Sequence, residues 1–145
     1  MAIETILVPT DGTPLAVEAL RHALVEYPNA AITALHVIDF RASENYPGGW
    51  GEAPGTWEAW MEEARAAETT LFEQADEIAA EYDREIEHDS VVGPTSRTIL
   101  DYLDTHGFDL VVMGSHGREG VSRILLGSVA ESVTRRSPTP VVVVR

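Results

Sequence analysis

The sequence contains no cysteine and no lysine. The first absence removes disulfides, thiolate metal sites and cysteine nucleophiles together. The second removes the GxxxxGK[ST] phosphate loop, the strand lysine of protein kinases and Schiff-base catalysis, each of which needs an amine. Strictly apolar runs are short, well under the roughly 20 residues of a membrane-spanning helix. The opening MAIETILVPTDG has no basic stretch ahead of a long apolar one, so no secretory signal is expected and the cytoplasm is the expected location. Positive charge is scarce as well: ten arginines face 24 acidic residues, for a formal net charge of −14. Phosphate backbones and anionic membranes are bound by basic patches, so neither a nucleic acid nor a membrane is an expected partner. Carboxylates at this density suit a high-salt cytoplasm, where salt screens their repulsion, and a halophilic source is expected on that ground.

Familiar catalytic patterns are missing too. Histidines 22, 36, 88, 106 and 116 are scattered, without HxH or HExxH spacing, so no metal ligand set is assigned. There is no GxSxG elbow. PTDGT (9–13) shares its ending with a DxDGT phosphatase motif, but Pro9 stands where the nucleophilic aspartate is required. No catalytic residue is assigned.

What the chain does contain is alternation. Its 145 residues, 44% of them apolar, suit one domain over 1–145 with one substantial core. IETILVP (3–9) reads as a strand and PLAVEALRHALVEY (14–27) as a helix, with Ala16, Leu20, Ala23, Leu24 and Tyr27 on one stripe and Pro14 in the first turn. AAITALHVID (30–39) is a second strand, and FRASENYPGGWGEAPGT (40–56), rich in glycine and proline, is a loop that can act as a lid or simply connect. From Trp57 to about Tyr82 the apolar residues Trp57, Trp60, Met61, Ala64, Ala67, Leu71, Ala75, Ile78 and Tyr82 recur at helical spacing. Residues 52–89 hold thirteen acidic side chains against Arg65 and Arg84, which is eleven of the fourteen net negative charges; a solvated helix face is the plain reading of that run. A strand (85–92), a helix (93–107) with Ile99, Leu100 and Leu103 inward and Gly107 at its end, and the apolar strand FDLVVMG (108–114) follow. The chain closes with a helix over Ser128–Arg136 and the strand VVVVR (141–145).

Strands alternating with helices imply a parallel sheet with right-handed crossovers. Ligands of such sheets sit beyond the carboxyl ends of the strands, where crossovers diverge. Two segments fall at such ends. One is PTDGT, and the other is GSHGREGVSRILLGS (114–128), which joins strand four to the last long helix. Helix N-termini carry unpaired N–H groups and bind anions, glycine admits a ligand close to the backbone, and Ser128 offers a hydroxyl and a cap. A phosphate chain is a suitable guest, while a plain chain turn accounts for the same glycines.

The spacing Gly114-x2-Gly117-x9-Gly127-Ser128 resembles the nucleotide-binding signature G-x2-G-x9-G-[S/T] of the universal stress protein family. The resemblance spans the chain: ILVPTDGT is similar to the family's opening strand and acidic turn, ALHVID to its second strand and PVVVVR to its closing strand. It implies a single-domain three-layer α/β/α sandwich, Rossmann-like and of the adenine nucleotide α-hydrolase type, with five parallel strands in the order 3-2-1-4-5. It implies bound ATP, with Mg2+ as an option. In ATP-binding members the residues matching Pro9, Asp11 and Val37 surround the adenosine. Those matching Met113 and Gly114 line the ribose side, and those matching Gly117, Gly127, Ser128 and Val129 hold the phosphates. Thr10 lies between the first two, and Ser115, His116 and Arg118 lie within the phosphate segment. Asp11 suits ribose hydroxyls or adenine N–H groups, and equally a turn before Gly12 or a helix cap. Gly127→Val is expected to block the ligand while leaving the fold unchanged.

The resulting expectation is an ATP-binding stress-response module without rapid turnover. A nucleotide-independent dimeric adaptor and a slow ATPase stand as alternatives. The apolar closing strand 141–145 at a sheet edge predicts a homodimer.

Overall fold

The computed structural model describes residues 2–41, 55–116 and 126–145. Five parallel strands, β1 (Thr5–Pro9), β2 (Ala31–Ile38), β3 (Glu87–Val92), β4 (Leu110–Gly114) and β5 (Val141–Val144), form one sheet in the order β3-β2-β1-β4-β5. Four helices alternate with them: α1 (Pro14–Glu26), α2 (Thr56–Ala80), α3 (Thr95–His106) and α4 (Ser128–Arg136). The class is the one that the alternation of strands and helices predicts, and the order is the one that the family resemblance implies. Among the described residues no helix is long and apolar enough to cross a membrane.

Side chains alternate across a strand, so each strand supplies both faces of the sheet. Ile6, Val8 and Ile32 meet Ala19, Leu20 and Ala23 of α1 and Ala75, Ile78 and Ala79 of α2. Leu7, Leu35, Val111 and Met113 meet Ile99 and Leu103 of α3 and Ala130 and Val133 of α4 on the other face. Two cores, one per face, make the three layers.

The chain winds outward from β1 through α1 and α2 on one face, then crosses to β4 and β5 through α3 and α4 on the other. The crossovers therefore diverge between β1 and β4, which places a crevice at the carboxyl ends of these two strands. Pro14 is the first residue of α1, where a missing N–H costs nothing. Arg84 closes the other end of α1 by donating to the carbonyls of Leu24 and Tyr27 (3.0 and 3.1 Å) and to that of Ala30. Asp39, just past β2, anchors the start of α3 by accepting from the Thr95 backbone N–H and hydroxyl (3.2 and 3.0 Å). Hydrogen bonds from the Arg41 side chain, chiefly, hold the Asp39 carboxyl well below the usual carboxylate range.

Two inward positions differ from the sequence reading. Leu100 is only half-buried, and Tyr102 takes the inward place in α3, its ring covered while its hydroxyl donates to Asp89 at 2.9 Å. In α2, Ala67 is exposed and Glu68 is buried.

Candidate nucleotide site

Pro9 ends β1 and is buried, and the chain leaves the sheet only after the Thr10 N–H has bonded the Leu35 carbonyl at 2.8 Å. Asp11 is half-buried and folds back on its own turn: Oδ1 accepts from the Thr13 N–H at 3.0 Å and from the Thr13 hydroxyl at 2.5 Å. The turn reading of Asp11 is thus realised through one oxygen. The second oxygen, Oδ2, makes no hydrogen bond among the described residues. Gly12 has φ +79°, a left-handed conformation that glycine adopts freely, and a Cβ there would lie 3.4 Å from Leu71 of α2. The acidic turn is therefore backed by α2 and leads directly into α1.

Val37 of β2 and Met113 of β4 belong to the same apolar cluster, half-buried and buried respectively. Pro9 lies on β1 between them and shares the strand parity of Leu7, so the three define an apolar floor below the carboxyl ends of adjacent strands.

Gly114 ends β4 against the first turn of α1. A Cβ at this position would sit 2.9 Å from Leu15 Cβ and 3.1 Å from the Leu15 carbonyl carbon. Close packing of strand on helix explains this glycine without a ligand. Ser115 then turns inward, 1% exposed, with its N–H bonded to the Val144 carbonyl and its own carbonyl accepting the Gly127 N–H, both at 2.7 Å. His116 follows, 6% exposed, with Nδ1 3.1 Å from Ser115 Oγ. Its Nε2 is fully buried and makes no hydrogen bond among the described residues.

Gly127 is the N-cap of α4, with φ −66° and ψ 163°, a conformation open to any residue. What holds glycine there is space: a Cβ would lie 3.1 Å from the Ser115 carbonyl oxygen and 3.6 Å from His116 Cδ2. Gly127→Val thus presses on the protein's own backbone, and the expectation of an undisturbed fold is corrected. Ser128 is the first helical residue and exposed, and no side chain among the described residues caps the helix. The expected capping by Ser128 is not realised. The first intrahelical bond runs from the Glu131 N–H to the Gly127 carbonyl at 2.9 Å, so the N–H groups of Ser128, Val129 and Ala130 have no partner within the helix. Val129 is half-buried against the apolar cluster.

The structure thus brings Met113, Gly114, Ser115, His116, Gly127, Ser128 and Val129 together around the start of α4. Pro9, Thr10, Asp11 and Val37 lie on the neighbouring strand ends. Gly117 and Arg118 lie outside the described residues, as does most of the 40–56 loop. Among the described residues no group of three or more histidine or acidic side chains is placed to hold a metal ion.

The sequence reading missed the supports behind the site, Leu15 under Gly114 and Leu71 under Gly12. It also missed a polar cluster that pins α2 to the sheet. Glu68 Oε2 lies 2.6 Å from His36 Nδ1 and accepts the Ser90 hydroxyl at 2.5 Å, while Arg65 donates to Oε1 at 3.2 Å. Burial pushes the Glu68 carboxyl up, but hydrogen bonds from Ser90, His36 and Arg65 outweigh it and hold the group below its usual range. The one hint in the sequence was a histidine inside the apolar strand ALHVID.

Comparison with known proteins places these features in a family. The universal stress protein family model matches residues 2–145. The chain is 32% identical over 142 residues to universal stress protein MJ0531 of Methanocaldococcus jannaschii, covering 97% of this chain and 81% of that protein. Universal stress protein UspA from Lactobacillus plantarum shares the architecture with a TM-score of 0.80 at 27% identity, covering 100% of this chain and 99% of the other. A universal stress protein crystallised in complex with cAMP is similar at a TM-score of 0.71 and 24% identity, covering 100% and 98%.

Proposed function

Since the chain belongs to the universal stress protein family, we propose that it binds an adenine nucleotide, ATP with or without Mg2+, in the crevice between β1 and β4. One observation carries the reading: among the described residues, three N–H donors at the start of α4 have no cap and a nearby buried histidine nitrogen has no partner. Donors in this arrangement suit the phosphate oxygens of a nucleotide. The residues present fit such a ligand. Ser128, Val129 and Gly127 border the phosphate end, Asp11 Oδ2 is available to a hydroxyl or N–H donor, and Val37, Pro9 and Met113 offer apolar contact to a base. The family member bound to cAMP is consistent with a nucleotide at this fold, and its likeness to this chain extends to the fold.

The proposal is a binding and signalling module of the stress response rather than a rapid enzyme. A bound nucleotide supplies charge and a phosphoanhydride. The described residues around it supply donors, and Asp11 is tied to Thr13 through one of its two oxygens. The protein is proposed to work in the cytoplasm as a homodimer. Among the described residues β5 pairs with β4 on one side only, and its four valines are half-buried, which suits its other edge to a second copy by two-fold pairing. Isothermal titration of ATP–Mg into nucleotide-free protein tests the nucleotide reading, and phosphate release over hours tests the absence of rapid turnover.

A further inference from the structure

Ser115 is 1% exposed, and both of its backbone groups are committed, the N–H to Val144 and the carbonyl to Gly127. Its hydroxyl hydrogen has one acceptor among the described residues, His116 Nδ1 at 3.1 Å. A neutral imidazole carries one proton, on one nitrogen or the other, and the partner of the first nitrogen decides which. If Nδ1 held it, the buried Ser115 hydroxyl would lack an acceptor. With the proton on Nε2, Ser115 donates to Nδ1 and the Ser115 side chain is satisfied. An imidazolium carries the Nε2 proton as well. Nε2 is therefore an N–H donor in either charge state, buried and without an acceptor of its own among the described residues. The ring packs against the N-cap of α4, with Cδ2 3.6 Å from where a Cβ on Gly127 would sit.

We infer that Ser115 is a positioning residue that fixes His116 in the Nε2–H tautomer, and that this N–H joins the α4 amides in binding a phosphoryl oxygen. The inference deepens the nucleotide reading above and rests on it for the identity of the ligand. Its consequence is selectivity. The histidine strengthens binding of phosphorylated adenosine and adds nothing to binding of adenosine itself.

Two side chains separate the roles of the two ring nitrogens. Glutamine at 116 extends an amide donor to about the position of Nε2, whereas asparagine reaches only as far as Nδ1. Calorimetry on His116→Asn is expected to show ATP affinity about tenfold weaker, with His116→Gln recovering most of the loss. Adenosine affinity stays the same in both. Retained ATP binding in His116→Asn, or equal losses for ATP and adenosine, would overturn the phosphoryl contact. Nitrogen-15 NMR of the imidazole in the ligand-free protein reads the tautomer independently of any ligand. Nε2–H is expected, with Nδ1–H emerging in Ser115→Ala, and a wild-type Nδ1–H tautomer refutes the positioning role. A wild-type protein that binds no ATP overturns the nucleotide reading and with it the phosphoryl contact, while the NMR result still decides what Ser115 does.

Discussion

Glu68 of α2 and His36 of β2 meet inside the protein, Oε2 2.6 Å from Nδ1, with 6% and 8% of the two residues exposed. An ionised carboxylate only accepts, so His36 donates through Nδ1, the Ser90 hydroxyl donates to the same oxygen, and Arg65 bridges Ser90 and Glu68. Helix α2, whose other surface is densely acidic, is thereby fixed to the sheet one turn before Leu71, the residue that backs the Asp11 turn.

Removing this carboxylate leaves donors buried and unpaired. Glu68→Leu is expected to destabilise the protein by about 3 kcal/mol at neutral pH. The Glu68 carboxyl is held below its ordinary value of 4.5 in the folded state. Its contribution is therefore present above that value and lost as pH falls through the folded one. Denaturant unfolding at pH 7 and near pH 3 checks this: the gap between wild type and variant should narrow in acid, and a gap that holds constant refutes the ion pair as its source.

Gly114→Ala drives a methyl group to 2.9 Å from Leu15 Cβ and against Leu15 backbone, which cannot rotate away. A loss of about 1–3 kcal/mol is expected, comparable to overpacking in a core. Thermal unfolding measures it. An alanine variant as stable as the wild type would show that α1 can shift at no cost and that close packing is not the reason for this glycine.

Solubility should depend on salt. Glu58, Glu62, Glu63, Glu73, Asp76 and Glu77 all project from the exposed face of α2 in a chain of net charge −14. At about 10 mM salt their repulsion extends over roughly 30 Å, and at 1 M over about 3 Å. Helix content followed by circular dichroism is expected to fall on dialysis into dilute buffer and to return with salt. Unchanged helicity in dilute buffer contradicts a high-salt origin.

The edge of β5 that is unpaired among the described residues predicts self-association. Light scattering at micromolar concentration in high salt should give a mass of twice the chain's 15.8 kDa, and a monomer mass removes the proposed dimer.

The fold was legible because its signals are local and redundant. The apolar runs of β1 and β4 could only be strands buried on both faces, and Gly107, with φ +68°, ends α3 where its sequence position suggested. Strand starts were read two residues early at β1, β3 and β4, where the flanking residues share the strands' composition but not their pairing. The α2 stripe failed at a single place. Helical spacing assigns the inward position to Ala67, but the sheet beneath offers His36 and Ser90, and those partners select the neighbouring Glu68. No local pattern distinguishes that acid from the twelve others nearby. At the candidate site the structure gives two of the glycines picked out by spacing a reason that the spacing does not contain. Gly114 and Gly127 are constrained by Leu15 and by the Ser115 carbonyl, contacts made across the fold.

Titration calorimetry of ATP–Mg against nucleotide-free protein in high salt is the most direct measurement of the central claim. Binding tighter than about 1 mM at one site per chain, weakened in His116→Asn, is the result expected. No heat of binding at millimolar ATP, from protein shown to be folded, would contradict it.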